Sequence, residues 1–60
     1  MNGYELGLTM FTIDFFISRN ERKEAEEYID YLFLRLNIGR TMHNLLRDYL
    51  EIQFKNKEER

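Results

Sequence analysis

The sequence predicts a small, mainly α-helical domain with one N-terminal strand, in the order strand, helix, turn, helix. Apolar and polar residues alternate over residues 9–17, as they do on a strand. Residues 21–36 and 41–54 instead carry apolar residues at helical spacing. The 60-residue chain has no Cys and one His, so disulfides and the usual zinc sites cannot cross-link it. Because so small a domain buries little surface by itself, we expect a homodimer.

The ends of the chain differ from this central part. Residues 1–8 hold two of the three glycines and show no clear period, which indicates a flexible N-terminal arm. Residues 55–60 are polar and predict a C-terminal tail. The predicted domain therefore spans residues 9–54.

The predicted strand is defined by its alternation. The odd positions from 11 to 17 are Phe, Ile, Phe and Ile, with Thr12 and Asp14 between them. A single strand is not stable in water, because its edges need hydrogen-bonding partners. We therefore expect the strand to pair with that of a second copy, forming a two-stranded antiparallel ribbon.

Residues 21–36 allow two interpretations. On a helix, one face would hold Ala25, Ile29, Leu32, Phe33 and Leu36. Residues 29–38 also alternate, and as a strand they would give a β-hairpin with one long helix. The first half of the stretch consists almost entirely of good helix formers, which favours the helix. Tyr31 and Leu34 would then lie off its main apolar face.

A turn and a second helix follow. Gly39 is typical of a helix end, and Thr41 is placed to cap the next helix. Its apolar face would consist of Met42, Leu45, Leu46, Tyr49, Leu50 and Phe54. His43 has no Cys or second His nearby, and we expect it to lie on the surface or to pack between helices.

The segment from Gly39 to Arg47 places a small residue, a basic residue and a Thr cap before an apolar helix. This arrangement resembles the turn between the helices of ribbon-helix-helix proteins, a superfamily that binds DNA. The resemblance covers roughly residues 9–54. It implies a homodimer with a shared β-ribbon that binds double-stranded DNA sequence-specifically and acts as a small transcriptional repressor.

The same resemblance implies two sets of DNA contacts. The outward residues of the ribbon would read base edges in the major groove. They correspond here to Met10, Thr12 and Asp14, with Phe16 as a further candidate. The start of the second helix would bind a phosphate through its N–H groups and the helix dipole. That role would fall to Arg40, Thr41 and Met42.

The charge distribution supports an alternative function. Residues 1–17 carry Glu5 and Asp14 and no basic residue, and the formal net charge of the chain is −2. Nucleic-acid binders usually show a basic face. The alternative is therefore a small homodimeric protein-binding module or inhibitor with no nucleic-acid role, using Tyr31 and Leu34 as contacts.

Catalysis is not expected from this sequence. It contains no catalytic triad, glycine-rich phosphate loop or paired carboxylates in a plausible cleft, and it is short for enclosing a pocket. We accordingly predict no cofactor and no metal ion. The sequence also lacks an apolar stretch of about 20 residues and the order of a signal peptide, so we expect a cytoplasmic protein.

Overall fold

The computed structural model describes residues 2–58, and these residues form three α-helices and no strand. The helices are α1 (Gly3–Ser18), α2 (Arg22–Arg35) and α3 (Arg40–Glu58). The chain reverses between α1 and α2 and again between α2 and α3. Asn20 (φ 59°) in the first connection, and Asn37 (φ 51°) and Gly39 (φ 90°) in the second, adopt the left-handed conformation that sharp reversals use.

The predicted strand is wrong, and the predicted ribbon-helix-helix fold with its intermolecular ribbon is wrong with it. Residues 9–17 lie within α1, which also includes residues 3–8 of the expected arm. The helix begins with a side-chain cap, since Asn2 Oδ1 accepts a hydrogen bond from the backbone N–H of Glu5 at 2.8 Å. This cap satisfies one of the N–H groups that every helix start leaves without a partner.

The alternation in the sequence has a helical origin. Ile13 and Ile17 are buried, whereas Phe11 and Phe15 are exposed. Residues four apart share a side of a helix, so one pair faces the core and the other faces solvent. Two apolar faces on opposite sides of one helix thus interleave in the sequence and imitate the period of a strand.

The helical interpretation of residues 21–36 and 41–54 is confirmed, with small shifts at the ends. Helix α3 begins at Arg40, so Thr41 lies in its first turn, and the carbonyl of Gly39 accepts the N–H of His43 at 3.0 Å. The expected polar tail is helical through Glu58, and residues 59–60 lie outside the described part of the chain.

The core lies between the three helices. Its buried members are Ile13 and Ile17 from α1, Ala25, Ile29 and Leu32 from α2, and Leu46, Leu50 and Phe54 from α3. On α2 these residues recur at steps of four and three, and on α3 at steps of four, so each helix turns a single apolar face inward. Burial of these eight side chains by the hydrophobic effect holds the bundle together.

Candidate functional site

The structure does not bring the predicted base-reading residues to one face. Met10 is half-buried and packs against the core, and the Oγ1 of Thr12 donates a hydrogen bond to the Leu8 carbonyl at 2.9 Å. Asp14 accepts a hydrogen bond from the Tyr49 hydroxyl at 2.5 Å. Successive residues of an α-helix are rotated by about 100°, so Met10 and Asp14 share a side that Thr12 does not. The outward strand face that these positions required does not exist in residues 2–58.

The predicted phosphate-binding residues do lie together, in the first turn of α3. Arg40 and Thr41 are exposed, whereas Met42 is half-buried against the core. The backbone N–H groups of a first helical turn have no partners within the helix, as in any helix start. Phosphate binding at this turn therefore stays a prediction.

The main surface feature of the molecule is an apolar stripe that sequence reasoning missed. It runs along the solvent side of α1, and we call it the outer face of α1. Its members are Tyr4 (77 % exposed), Leu8 (52 %), Phe11 (73 %) and Phe15 (49 %). They follow one another at steps of four, three and four, so they occupy successive turns on one side of the helix.

This stripe lies on the side of α1 that faces away from the core. The buried residues Thr9, Ile13 and Ile17 recur at steps of four on the opposite side. A surface helix of a globular protein normally has one apolar face and one polar face. Because α1 has two apolar faces, only one of them is accounted for by packing within the chain.

Charged residues and a glycine border the outer face of α1. Glu5, in the first turn of α1, and Arg19, the C-cap residue after Ser18, lie along one edge, and the Arg19 guanidinium sits 5.4 Å from the centre of the Phe15 ring. Gly7 and Asp14 lie along the other edge. Helix α1 itself contains two acidic residues and no basic one.

A groove continues this apolar surface toward α2. It has a volume of about 310 Å³ and opens between the N-terminal half of α1 and the C-terminal end of α2. Its walls are formed by Glu5, Leu8, Thr9, Tyr28, Leu32, Leu36, Asn37 and Ile38. Leu8 belongs both to the groove and to the outer face, so the two form one surface.

Polar contacts with α3 fix the position of α1. Lys57 Nζ donates to the carbonyl of Ile17 at 2.5 Å, near the C-terminal end of α1. The hydrogen bond to Asp14, with burial and the charge of that carboxylate as smaller contributions, raises the pKa of Tyr49 to about 12. A phenol that donates to a carboxylate loses its proton less readily. These contacts hold α1 in a fixed rotation, with its outer face toward solvent.

Side-chain pairs also connect α2 to α3. His43 Nε2 lies 3.0 Å from Asp30 Oδ1, and Arg47 Nη1 lies 3.6 Å from the same oxygen. The ring of His43 packs against Phe33 with the centroids 4.6 Å apart. This arrangement gives His43 a position between two helices, as the sequence led us to expect.

Arg22 forms a second connection between α2 and α3. It pairs with Glu51 on α3 and with Glu26 one turn along α2, the latter at 3.2 Å. The hydrogen bond to Glu51, followed by that to Glu26, holds the pKa of Arg22 above its usual range. The positive charge of Arg22 is therefore compensated by Glu26 and Glu51 within the same chain.

Leu36 (58 %) and Leu45 (57 %) are exposed, so their predicted place on the apolar faces of α2 and α3 is wrong; Leu36 instead lines the groove. The remaining exposed apolar residues do not form a stripe comparable to that on α1. Tyr31 (54 %) and Leu34 (75 %) are exposed on α2, in agreement with their expected position off its apolar face. On α3, Leu45 (57 %) and Ile52 (56 %) are two turns apart, with Asp48 between them. Tyr31 and Leu34 form one pair of neighbours on α2, whereas the stripe on α1 continues over four side chains, and a continuous apolar patch is what marks an interaction site.

A metal-ligand cluster and a membrane-spanning helix are both absent from residues 2–58. No three His, Asp or Glu side chains in this range are grouped to hold a metal ion. No helix in the same range is both long and apolar enough to cross a bilayer.

Comparison with protein-family models, curated proteins and solved structures finds no match to this chain.

Proposed function

We propose that this chain is a small protein-interaction module that binds a partner protein through the outer face of α1. The observation that carries the proposal is the stripe of four large apolar side chains on successive turns, opposite the core-facing side of the same helix. Amphipathic helices are commonly recognised in this way, through anchors at i, i+4 and i+7. Tyr and Phe are also among the residues enriched at the centres of protein interfaces.

The four side chains of the stripe can contribute a large part of the free energy of binding. Full burial of one large apolar side chain is worth about 1.5–3 kcal/mol. Since half to three quarters of each side chain is still exposed, burying the four would give roughly 4–8 kcal/mol. Association costs about 4–15 kcal/mol in lost motional freedom. The stripe therefore supports moderate affinity when the partner contributes a similar apolar surface.

The charge of α1 favours a protein partner over DNA. Binding to duplex DNA depends on cationic side chains that neutralise phosphates. Glu5 and Asp14 give α1 a charge of −2, with no base in the helix. The base-reading ribbon, which carried the prediction of a repressor, is absent from residues 2–58.

The proposal is tested with a pair of variants matched for exposure. Phe11→Asp places a charge at a site that is 73 % exposed on α1, and Leu34→Asp places one at a site that is 75 % exposed on α2. Association is measured by sedimentation of the purified protein and by cross-linked capture of partners. We expect Phe11→Asp alone to lose association.

Three results would contradict the proposal. Wild type and both variants could associate equally, or Leu34→Asp alone could lose association. Duplex DNA could also bind the purified protein at about 50 mM salt, where phosphate contacts are strong, and the binding could survive Phe11→Asp. The last result would favour DNA binding over protein binding as the function of this chain.

A further inference from the structure

We infer that the partner on the outer face of α1 is a second copy of this chain, with the two α1 helices packed antiparallel. The inference rests on the proposed function, because it names the occupant of the same surface. It is carried by the spacing of the stripe, by the charges along one edge and by the glycine on the other.

The spacing suits the pairing of two identical helices. Steps of four, three and four between Tyr4, Leu8, Phe11 and Phe15 are those of alternating d and a positions in a heptad. The 16 residues of α1 give a helix about 24 Å long, enough for two heptads. In a two-fold antiparallel pair, Tyr4 lies opposite Phe15 of the second copy, and Leu8 lies opposite Phe11 of the second copy. Such an interface is self-complementary, as two-fold symmetry requires.

The edge formed by Glu5 and Arg19 gives the pair its orientation. These residues lie at opposite ends of α1, so an antiparallel arrangement brings Glu5 of each copy toward Arg19 of the other. Helical side chains lean toward the N-terminus, which moves the two charged groups toward each other. A guanidinium has five N–H donors, and Glu21 occupies the one on Nε at 2.6 Å. A parallel pair would instead place both Glu5 carboxylates at the end away from Arg19.

Gly7 makes the other edge compatible with the same arrangement. A Cβ at Gly7 would meet no atom within 4 Å in its own chain, so packing within the bundle does not require a glycine there. Glycine inside a helix lowers its stability, but it allows a second helix to approach closely. In the antiparallel pair, Asp14 of one copy lies beside Gly7 of the other. The Asp14 carboxylate, which accepts the Tyr49 hydroxyl of its own chain, therefore lies beside a position without a side chain and not beside a like charge.

Charge reversal tests the pairing directly. Sedimentation equilibrium is measured for wild type, for Glu5→Arg, for Arg19→Glu and for the double variant. We expect a wild-type dimer with a Kd on the order of 10–100 μM. Each single reversal weakens it about tenfold, since two symmetry-related ion pairs become like-charge pairs. The double variant regains near wild-type affinity.

The double variant separates an intermolecular contact from local damage. Any loss of the Glu5 or Arg19 contacts within one chain is present in the double variant too, so only an ion pair between copies explains a recovery. Glu27→Arg, the same charge change at an exposed site on α2, serves as the control and leaves the Kd unchanged. Circular dichroism establishes that every variant is folded.

The outcomes distinguish this inference from the proposed function. A wild-type chain that stays monomeric to about 1 mM overturns the second copy as partner, whereas the proposed function stands if Phe11→Asp loses capture of another protein. A dimer in which the double variant fails to recover overturns the antiparallel pairing. A dimer that survives both Phe11→Asp and the charge reversals overturns both proposals. Phe11→Asp is expected to raise the dimer Kd at least ~100-fold, because both copies bury the new charge.

Discussion

Replacing Ile13 or Phe11 with alanine separates a helical α1 from the strand that its sequence imitates. On a strand, positions 11 and 13 share one face, so both substitutions would remove core contacts. In α1 the two residues face opposite ways, with Ile13 0 % exposed and Phe11 73 % exposed. We therefore expect Ile13→Ala to be strongly destabilising and Phe11→Ala to be nearly neutral.

The magnitudes follow from burial. Ile13→Ala deletes three buried carbons at about 0.8 kcal/mol each, and the cavity that remains raises the loss to roughly 3–4 kcal/mol. A domain of this size has a free energy of unfolding of about 3–9 kcal/mol. Phe11 buries only a quarter of its side chain, worth about 0.5 kcal/mol. The higher helix propensity of alanine offsets much of that loss.

Urea denaturation followed by circular dichroism measures both effects. A protein concentration of about 1 μM keeps self-association from adding to the apparent stability. With a slope of about 1 kcal/mol per molar urea, Ile13→Ala lowers the midpoint by roughly 3 M, and Phe11→Ala lowers it by less than about 0.5 M. Equal losses of stability for the two variants would support a strand over residues 9–17 and refute the helical α1.

Three further predictions concern single residues. The folded state raises the pKa of Tyr49 from 10.0 to about 12, so its contribution to stability is complete below pH 10 and is lost as the pH rises toward 12. Asp14→Ala should return the titration midpoint of the Tyr49 ring, followed by NMR, toward 10, and an unchanged midpoint would contradict the hydrogen bond. Asn2→Ala should cost about 1 kcal/mol in thermal unfolding because it removes the α1 cap, whereas Asn2→Asp keeps the cap; equal losses for the two would exclude capping. Gly39→Ala should cost about 1–2 kcal/mol in chemical denaturation, since φ is 90° and a Cβ meets nothing within 4 Å. Gly39→Asn should cost less, and an equal cost would show that the left-handed backbone is not the cause.

Helices α2 and α3 were predictable because each turns a single apolar face toward the core. In α2, Ala25, Ile29 and Leu32 repeat at steps of four and three, and charged residues occupy much of the opposite side. This is the pattern that periodicity detects. The same stretch also alternated over residues 29–38, but its helix-forming first half decided the outcome.

Helix α1 was not predictable from periodicity. Its apolar residues lie on two opposite sides of the helix, so the sequence does not show the single apolar face by which a helical period is detected. Two local signals were present. Asn2 followed three residues later by Glu5 has the spacing of a helix cap. The second signal is the step of four between Thr9, Ile13 and Ile17, which is the spacing of one helical face, whereas residues on one face of a strand are two apart.

The candidate site was missed for the same reason. A strand uses Phe11 and Phe15 for its buried face, so the sequence offered no reason to place them in solvent. The expected surface contacts on α2, Tyr31 and Leu34, are exposed, but they lie outside the stripe on α1. Which apolar residues face outward depends on the rotation of α1, and contacts between helices, such as that of Asp14 with Tyr49, determine that rotation.

A dilution series followed by NMR tests most directly whether the outer face of α1 is the interaction surface. Spectra are recorded from about 1 mM down to about 10 μM, a range that spans the expected dimer Kd. We predict that the side-chain signals of Leu8, Phe11 and Phe15 shift with concentration, while those of Leu34 on α2 and Leu45 on α3 do not. Shifts at Leu34 or Leu45 without shifts on α1 would contradict the account, because they would place the interface on another side of the bundle.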